Sequence, residues 1–242
     1  MTAPVPHPHP PRTATGPRIA HLEPPRTATG PRIAQVGSQP AMSIAPGSPA
    51  AAMVAAGAAG LVVLARAEWP VPGAELTQIA GFVVSSFNPL VAEVAGRCLR
   101  SAFGEPPAPS EFGATTAIVL ASVRGDTGTA DAVADAVRAG RRVPPLLFFQ
   151  SNPNAVVGYV AARWGLAGPV VCVSPAVDAS TDALADGLAV ADLLITDGDA
   201  TAALVIAADQ ADTDGATDQA VAVLVGRSAR QLPDRSSDGW RQ

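Results

Sequence analysis

Leu147-Phe-Phe-Gln-Ser-Asn-Pro-Asn-Ala-Val-Val-Gly158-Tyr-Val-Ala-Ala-Arg-Trp-Gly165-Leu-Ala-Gly168-Pro169 is the stretch whose reading decides the fold. Its middle reads as an apolar helix over Asn154–Trp164, with Asn154 placed to make a backbone hydrogen bond at the helix start. A break marked by glycine and proline follows, and then a short apolar strand, Val170–Val173.

The same alternation runs outward in both directions. Toward the N-terminus, Leu61–Leu64 and Thr115–Ser122 are short apolar runs of strand type. Pro89–Phe103 has Leu90, Val94, Leu99 and Ala102 on one helical face. Asn88 is its expected cap, Pro89 its first residue, and Glu93 reaches Arg97 at i,i+4. A second helix is expected over Ala130–Ala139, closed by Gly140. Toward the C-terminus, Thr181–Ile195 places Leu184, Leu188, Ala191 and Ile195 on one face, with Asp182 in the first turn where the helix dipole favours a negative charge. Ala202–Ile206 and Ala220–Val225 complete five strands. Short buried strands separated by helices predict an α/β fold: an αβα sandwich around a mixed, mostly parallel five-stranded sheet.

Residues 1–49 are rich in proline and glycine and poor in large apolar side chains, a composition that predicts disorder. They hold a duplication, Pro10–Ala20 and Pro24–Ala34, at a period of 14 residues. Two proline-interrupted copies cannot build a solenoid; a duplicated linker, sequence upstream of a start at Met42 or Met53, and a docking peptide all fit. The expected organisation is therefore a tail (1–49), a folded domain (50–228) and a short C-terminal tail (229–242).

Charge excludes several classes of partner. The net charge is −5, and residues 1–46 carry four arginines against Glu23. From Asp178 to Asp218 there are ten aspartates and no basic residue. Such a body offers no footprint for nucleic acid or an anionic membrane. The apolar run Ala50–Ala65 falls short of the ~20 residues of a membrane span. Cys98 and Cys172 have neither pair nor metal spacing, and His7, His9 and His21 all lie in the tail, so no metal and no cofactor is expected. Two buried thiols in a cytoplasmic protein are the simplest account.

The opening stretch resembles the segment of β-ketoacyl synthases that leads to the active-site cysteine: a Ser, an Asn, an apolar helix with Gly, then Gly165-Leu-Ala-Gly168-Pro169 and a strand. Three later pieces follow in the family's order. Ala191–Ile195 to Gly198-Asp-Ala200 is similar to the helix end after the nucleophile. Ala202–Ala208 is similar to the strand that leads to the family's Gly-Gly turn, here Ala207-Ala208-Asp209, and Ala220–Gly226 to the strand closing the N-terminal half. The resemblance covers roughly residues 58–228 and implies half of a thiolase fold.

It also implies what is missing. Counting forward from Gly168-Pro169 puts the nucleophile at Val177, and counting back from Gly198 puts it at Thr181; neither is cysteine. The family's histidine partners come from a second half, and residues 50–242 contain no histidine. Cys172 and Thr181 are the weak substitutes for a nucleophile. Asn154, Ser174, Asp178 and Ser180 are the candidates for lining an acyl cleft, although Asp178 and Ser180 also suit a helix cap. Chain-length factors keep this fold without the cysteine and pair with an active ketosynthase, and short standalone relatives of the N-terminal half exist. By resemblance, this chain is expected to be a non-catalytic accessory subunit of polyketide or fatty-acid-type assembly. It would form a homodimer, or a heteromer with a ketosynthase or chain-length-factor-type protein, with an acyl carrier protein as a further partner, and bury more than about 1,000 Å². The alternatives are acyl transfer with a partner supplying the missing groups, and an acyl- or CoA-binding module.

Overall fold

The structure is a computed structural model that describes residues 56–57, 60–175, 182–211 and 216–227. The two expected tails and Val177, Asp178, Ser180 and Thr181 lie outside the described residues. In chain order the elements are β1 (Val62–Trp69), α1 (Phe87–Phe103), α2 (Ser110–Gly113), β2 (Thr116–Ala121), α3 (Thr127–Arg138), α4 (Pro145–Gln150), α5 (Pro153–Trp164), β3 (Val170–Val173), α6 (Ala183–Thr196), β4 (Ala202–Asp209) and β5 (Gln219–Gly226).

The five strands form one sheet in the order β1-β5-β4-β2-β3. β2 pairs in parallel with β3 and β4, while β5 runs antiparallel to both β4 and β1. Four strands thus share one direction and β5 alone is reversed, the mixed sheet expected from the sequence. Period-two alternation splits the core. Ile118 and Leu120 of β2 face α1 and α5, against Phe87, Leu90, Leu99 and Trp164. Ala117 and Val119 face α6, against Leu184, Leu188, Ala191 and Ile195. The expected αβα layering is present, and every residue of β2 is buried.

The Gly-Leu-Ala-Gly-Pro segment has a physical role in this packing. Gly165 ends α5 in the left-handed region at φ 68°, which glycine adopts without penalty. Gly168 then presses against the start of β2: a Cβ there would stand 2.5 Å from the Thr116 carbonyl oxygen. That approach lets the Pro169 carbonyl accept from the Ile118 N–H at 2.8 Å, beside the first residue of the β2–β3 register.

Several boundaries differ from expectation. β1 runs to Trp69 because Arg66 and Glu68, which break the apolar pattern, pair with each other at 2.7 Å on an edge strand. α1 starts at Phe87, so Asn88 is not its cap but a buried donor to Asp126 Oδ2 at 3.0 Å. The Glu93–Arg97 pair forms at 2.6 Å. α3 starts at Thr127, where the Asp126 carboxylate accepts from the Thr129 N–H at 2.9 Å. α5 is capped by Asn152, whose Oδ1 accepts from the Asn154 N–H at 3.0 Å, so the Asn154 side chain is released from the role expected for it. Asp182 is the cap of α6 rather than a first-turn residue, accepting from Leu184 N–H and Ala185 N–H. α2 and α4 are too short for a helical repeat to show in the sequence.

Two alanine substitutions should move stability in opposite directions. Gly158 lies mid-helix in α5 with nothing within 4 Å of its Cβ position, so Gly158→Ala should stabilise by about 0.5–1 kcal/mol. Gly168→Ala must shift backbone and should destabilise by about 1–3 kcal/mol. Urea denaturation of the two variants measures both; a neutral Gly168→Ala would contradict the close approach.

Candidate functional site

β3 is the outer strand on one side of the sheet, paired only with β2 among the described residues. Its Cys172 is exposed, whereas Cys98 is buried in α1, so the expectation of two buried thiols holds for Cys98 alone. A strand with a neighbour on one edge only cannot bury its side chains as an internal one does.

Cys172 and Asn154 come together: the thiol donates to Asn154 Oδ1 at 3.3 Å, joining β3 to the first turn of α5. Ser174 lies two residues on, with its hydroxyl 3.5 Å from the Val123 carbonyl. Cys172, Val173 and Ser174 line a cavity of about 260 Å³ with Ser122, Arg124 and Pro153. Three of the expected site residues thus share one neighbourhood at the carboxyl ends of the parallel strands, where open α/β sheets leave room for ligands.

The chemistry of that neighbourhood is weak. Desolvation pushes the Cys172 thiol above its ordinary value, and no carboxylate or imidazole lines the cavity among the described residues. A thiol that donates a hydrogen bond to an amide oxygen has an orienting partner, not a base. Burial pushes the Cys98 thiol further, to about 12, against a smaller opposing effect from a hydrogen bond to the Leu224 backbone. Among the described residues no cluster of His, Cys, Asp or Glu could hold a metal ion, and no helix is long and apolar enough to cross a membrane.

A network unseen in the sequence surrounds the site. Asp209, in the position of the Gly-Gly turn, accepts from Ser122 Oγ at 3.0 Å, Val123 N–H at 3.1 Å and Arg124 N–H at 3.2 Å. Gln210 Oε1 accepts from Thr127 Oγ1 at 3.0 Å and Gly128 N–H at 3.1 Å, and its amide donates to Ser85 and Ser86. Gln150, 1% exposed, accepts from the Val83 N–H at 3.0 Å and donates to the Val83 carbonyl and to Thr129 Oγ1. The one available signal was a lone polar residue ending an apolar run, Leu147-Phe-Phe-Gln150. This bracket fixes an exposed apolar patch: Phe148 is 80% exposed, and Phe149, Val83 and Val84 are also exposed. Val84 sits at φ 85°, a strained position for a β-branched side chain.

No protein-family model matches the sequence, and no curated protein matches it. Solved structures do. A structure titled as the ketosynthase ApeO in complex with its chain length factor ApeC, from Xenorhabdus doucetiae, matches with a TM-score of 0.54 and 18% identity, over 69% of this chain and 79% of that one. The ishigamide ketosynthase/chain length factor matches with a TM-score of 0.53 and 20% identity, over 67% of this chain and 50% of that one. The match therefore spans half of the ishigamide chain but most of the Xenorhabdus one.

Thiol chemistry offers a direct check. Because the Cys172 thiol is raised above 9.0, its alkylation by iodoacetamide in the folded protein should be slower than that of a free peptide thiol at pH 7.5 and should still be rising past pH 9. A plateau below pH 9 would mean an activated thiolate. From the arrangement of its strands and helices, the chain has the thiolase-like fold of ketosynthase and chain-length-factor proteins.

Proposed function

We propose that this chain is a non-catalytic ketosynthase-like subunit in polyketide or fatty-acid-type assembly, acting by contact with a ketosynthase or chain-length-factor-type partner in the cytoplasm. The observation that carries this reading is α6. Its sequence, Ala183-Leu-Ala-Asp-Gly-Leu-Ala-Val-Ala-Asp-Leu-Leu-Ile-Thr196, is apolar nearly all round, the signature of a helix buried on every side. Only one side is covered among the described residues. Leu184, Leu188, Ala191 and Ile195 pack on the sheet, while Leu193 is 61% exposed, Ala189 is exposed, and Val190 and Leu194 are half-buried. An uncovered apolar helix face needs a further protein layer.

Two further observations agree with a subunit role. Asn154 and Cys172 contact each other but no base accompanies them among the described residues, which weighs against acyl transfer by this chain alone. The first-named structural neighbour is described as a ketosynthase in complex with its chain length factor, so the fold occurs in paired assemblies. An acyl carrier protein is a further candidate partner of the assembled complex.

The test is co-purification from the native host, with mass spectrometry and light scattering on the eluted species. A ketosynthase-type protein in fixed stoichiometry is expected. Leu193→Asp adds a charge at an already exposed site, so the variant should keep its circular dichroism spectrum. It should nevertheless lose partner affinity by about 30-fold or more, the scale of a buried interface anchor. A chain that stays monomeric at micromolar concentration and recovers no ketosynthase would sink the proposal.

A further inference from the structure

Away from α6, two cavities adjoin along α5 and meet at Tyr159. The larger, about 590 Å³, runs between α1, α5 and residues Thr77 to Ala80. The smaller, about 460 Å³, is a mainly apolar groove walled by Phe82, Phe149, Ala155 and Gly158, with Asn152 and Asn154 also in its lining. We propose that together they bind an organic oxyanion on an apolar stem, with the headgroup between Arg100 and Arg163 and the stem in the groove. The site goes beyond the subunit reading and does not require it.

The headgroup end is built from groups able to donate. Arg100 and Arg163 both line the larger cavity, and Arg163 Nη1 donates to the Tyr159 hydroxyl at 3.2 Å. That leaves the Tyr159 proton free to point at a ligand oxygen. Glu93, the acid in the same wall, is already engaged by Arg97 at 2.6 Å, and Arg97 in turn stacks over Trp69 with its guanidinium carbon 5.6 Å from the ring centre. The local balance is therefore cationic in a body that is strongly acidic. Both arginines sit in the last turn of their helices, where a cation offsets the helix dipole. Arg100 folds back along α1, with its Nη1 at ordinary van der Waals range, 3.4 Å, from where a Cβ on Gly96 would stand, so its guanidinium lies in the cavity wall beside Gly96.

The stem end is apolar for a different reason. Gly158 leaves the middle of α5 without a side chain, and Phe82 meets Tyr159, the residue common to the two linings, edge-on at 6.2 Å between ring centres. A ligand reaching from the guanidiniums past Tyr159 would lie along α5. Each cavity by itself falls in the range of small-molecule sites, about 300–1,000 Å³.

Titration calorimetry on the full chain with octyl phosphate, octanoate and inorganic phosphate tests the site. Octyl phosphate or octanoate should bind at least tenfold more tightly than inorganic phosphate, and the stronger of the two names the headgroup. The double variant Arg100→Gln/Arg163→Gln should lose at least tenfold of that affinity, while Arg138→Gln, on the exposed surface of α3, should change nothing. Gly158→Leu should fill the groove and weaken the octyl probe without weakening inorganic phosphate. Absence of binding, equal binding by the double variant, or equal affinity for inorganic phosphate would each overturn the proposal. None of these outcomes depends on whether a ketosynthase partner exists.

Discussion

The carboxyl end of β4 is the constraint on which the rest of the structure depends. Two consecutive residues there, Asp209 and Gln210, reach three other parts of the chain: the loop after β2, the start of α3, and the serines before α1. Backbone N–H groups at helix starts and strand exits need partners when they are buried. Here two side chains supply several of them at once. A buried group left without its partner costs about 1–3 kcal/mol, so the loops around the sheet's carboxyl end cannot rearrange singly. Ser122 illustrates the coupling: its hydroxyl donates to Asp209 and accepts from the Gly125 N–H at 2.9 Å, closing the β2 exit on itself.

This arrangement has a functional consequence. The carboxyl ends of parallel strands are where α/β proteins usually place ligands, and in this chain many of the polar groups there are spent on one another. Asn88 donates to Asp126, Asp126 caps α3, Thr129 accepts from Gln150, and Gln150 brackets Val83. What remains beside the network is Cys172 with an amide partner and a small cavity. The same network carries Phe148 and Phe149 outward on α4, so a polar device inside the fold holds an apolar surface in place outside it. The polar groups point inward and the apolar side chains point outward.

How much of this was legible in the sequence follows from the range of each interaction. The opening motif gave α5, the turn and β3, because Gly165 and Gly168 act through local backbone geometry and a single close approach. The faces of α1 and α6 were readable because helical spacing is a local pattern, and Glu93–Arg97 lies within one turn. Strand ends were less readable. Arg66 and Glu68 interrupt the apolar run of β1, and only the pairing with β5 shows that the strand continues through them. Caps were misplaced by two residues or so because Asn88, Asn152 and Asn154 are the same residue type within reach of a helix start, and distant partners decide which one caps. Cys172 looked like a core residue between valines; its exposure follows from the place of β3 at the edge of the sheet, which is a property of the strand order. The Asp209–Gln210 network joins residues more than 80 positions apart, and no local pattern encodes it.

The two faces of the sheet make the closing contrast. On one, α1 and α5 together cover the strands, and the core includes Phe87, Trp164 and Leu99, all essentially inaccessible. On the other, α6 is the only long helix among the described residues, and it approaches so closely that a Cβ on Gly187 would stand 2.7 Å from Val205 Cγ1. Gly187 thus fixes which side of α6 meets the sheet, and with it which side faces away. A helix evolved only for water would place charge on that outer side, but Asp186 and Asp192 are its only charged residues, and Asp192 is paired with Arg227 at 3.2 Å. The apolar remainder, Ala189, Val190, Leu193 and Leu194, is the face on which the proposed subunit role rests. The contact that presses Gly187 onto the sheet is thus also what turns the apolar side of α6 outward, toward the contact proposed for it.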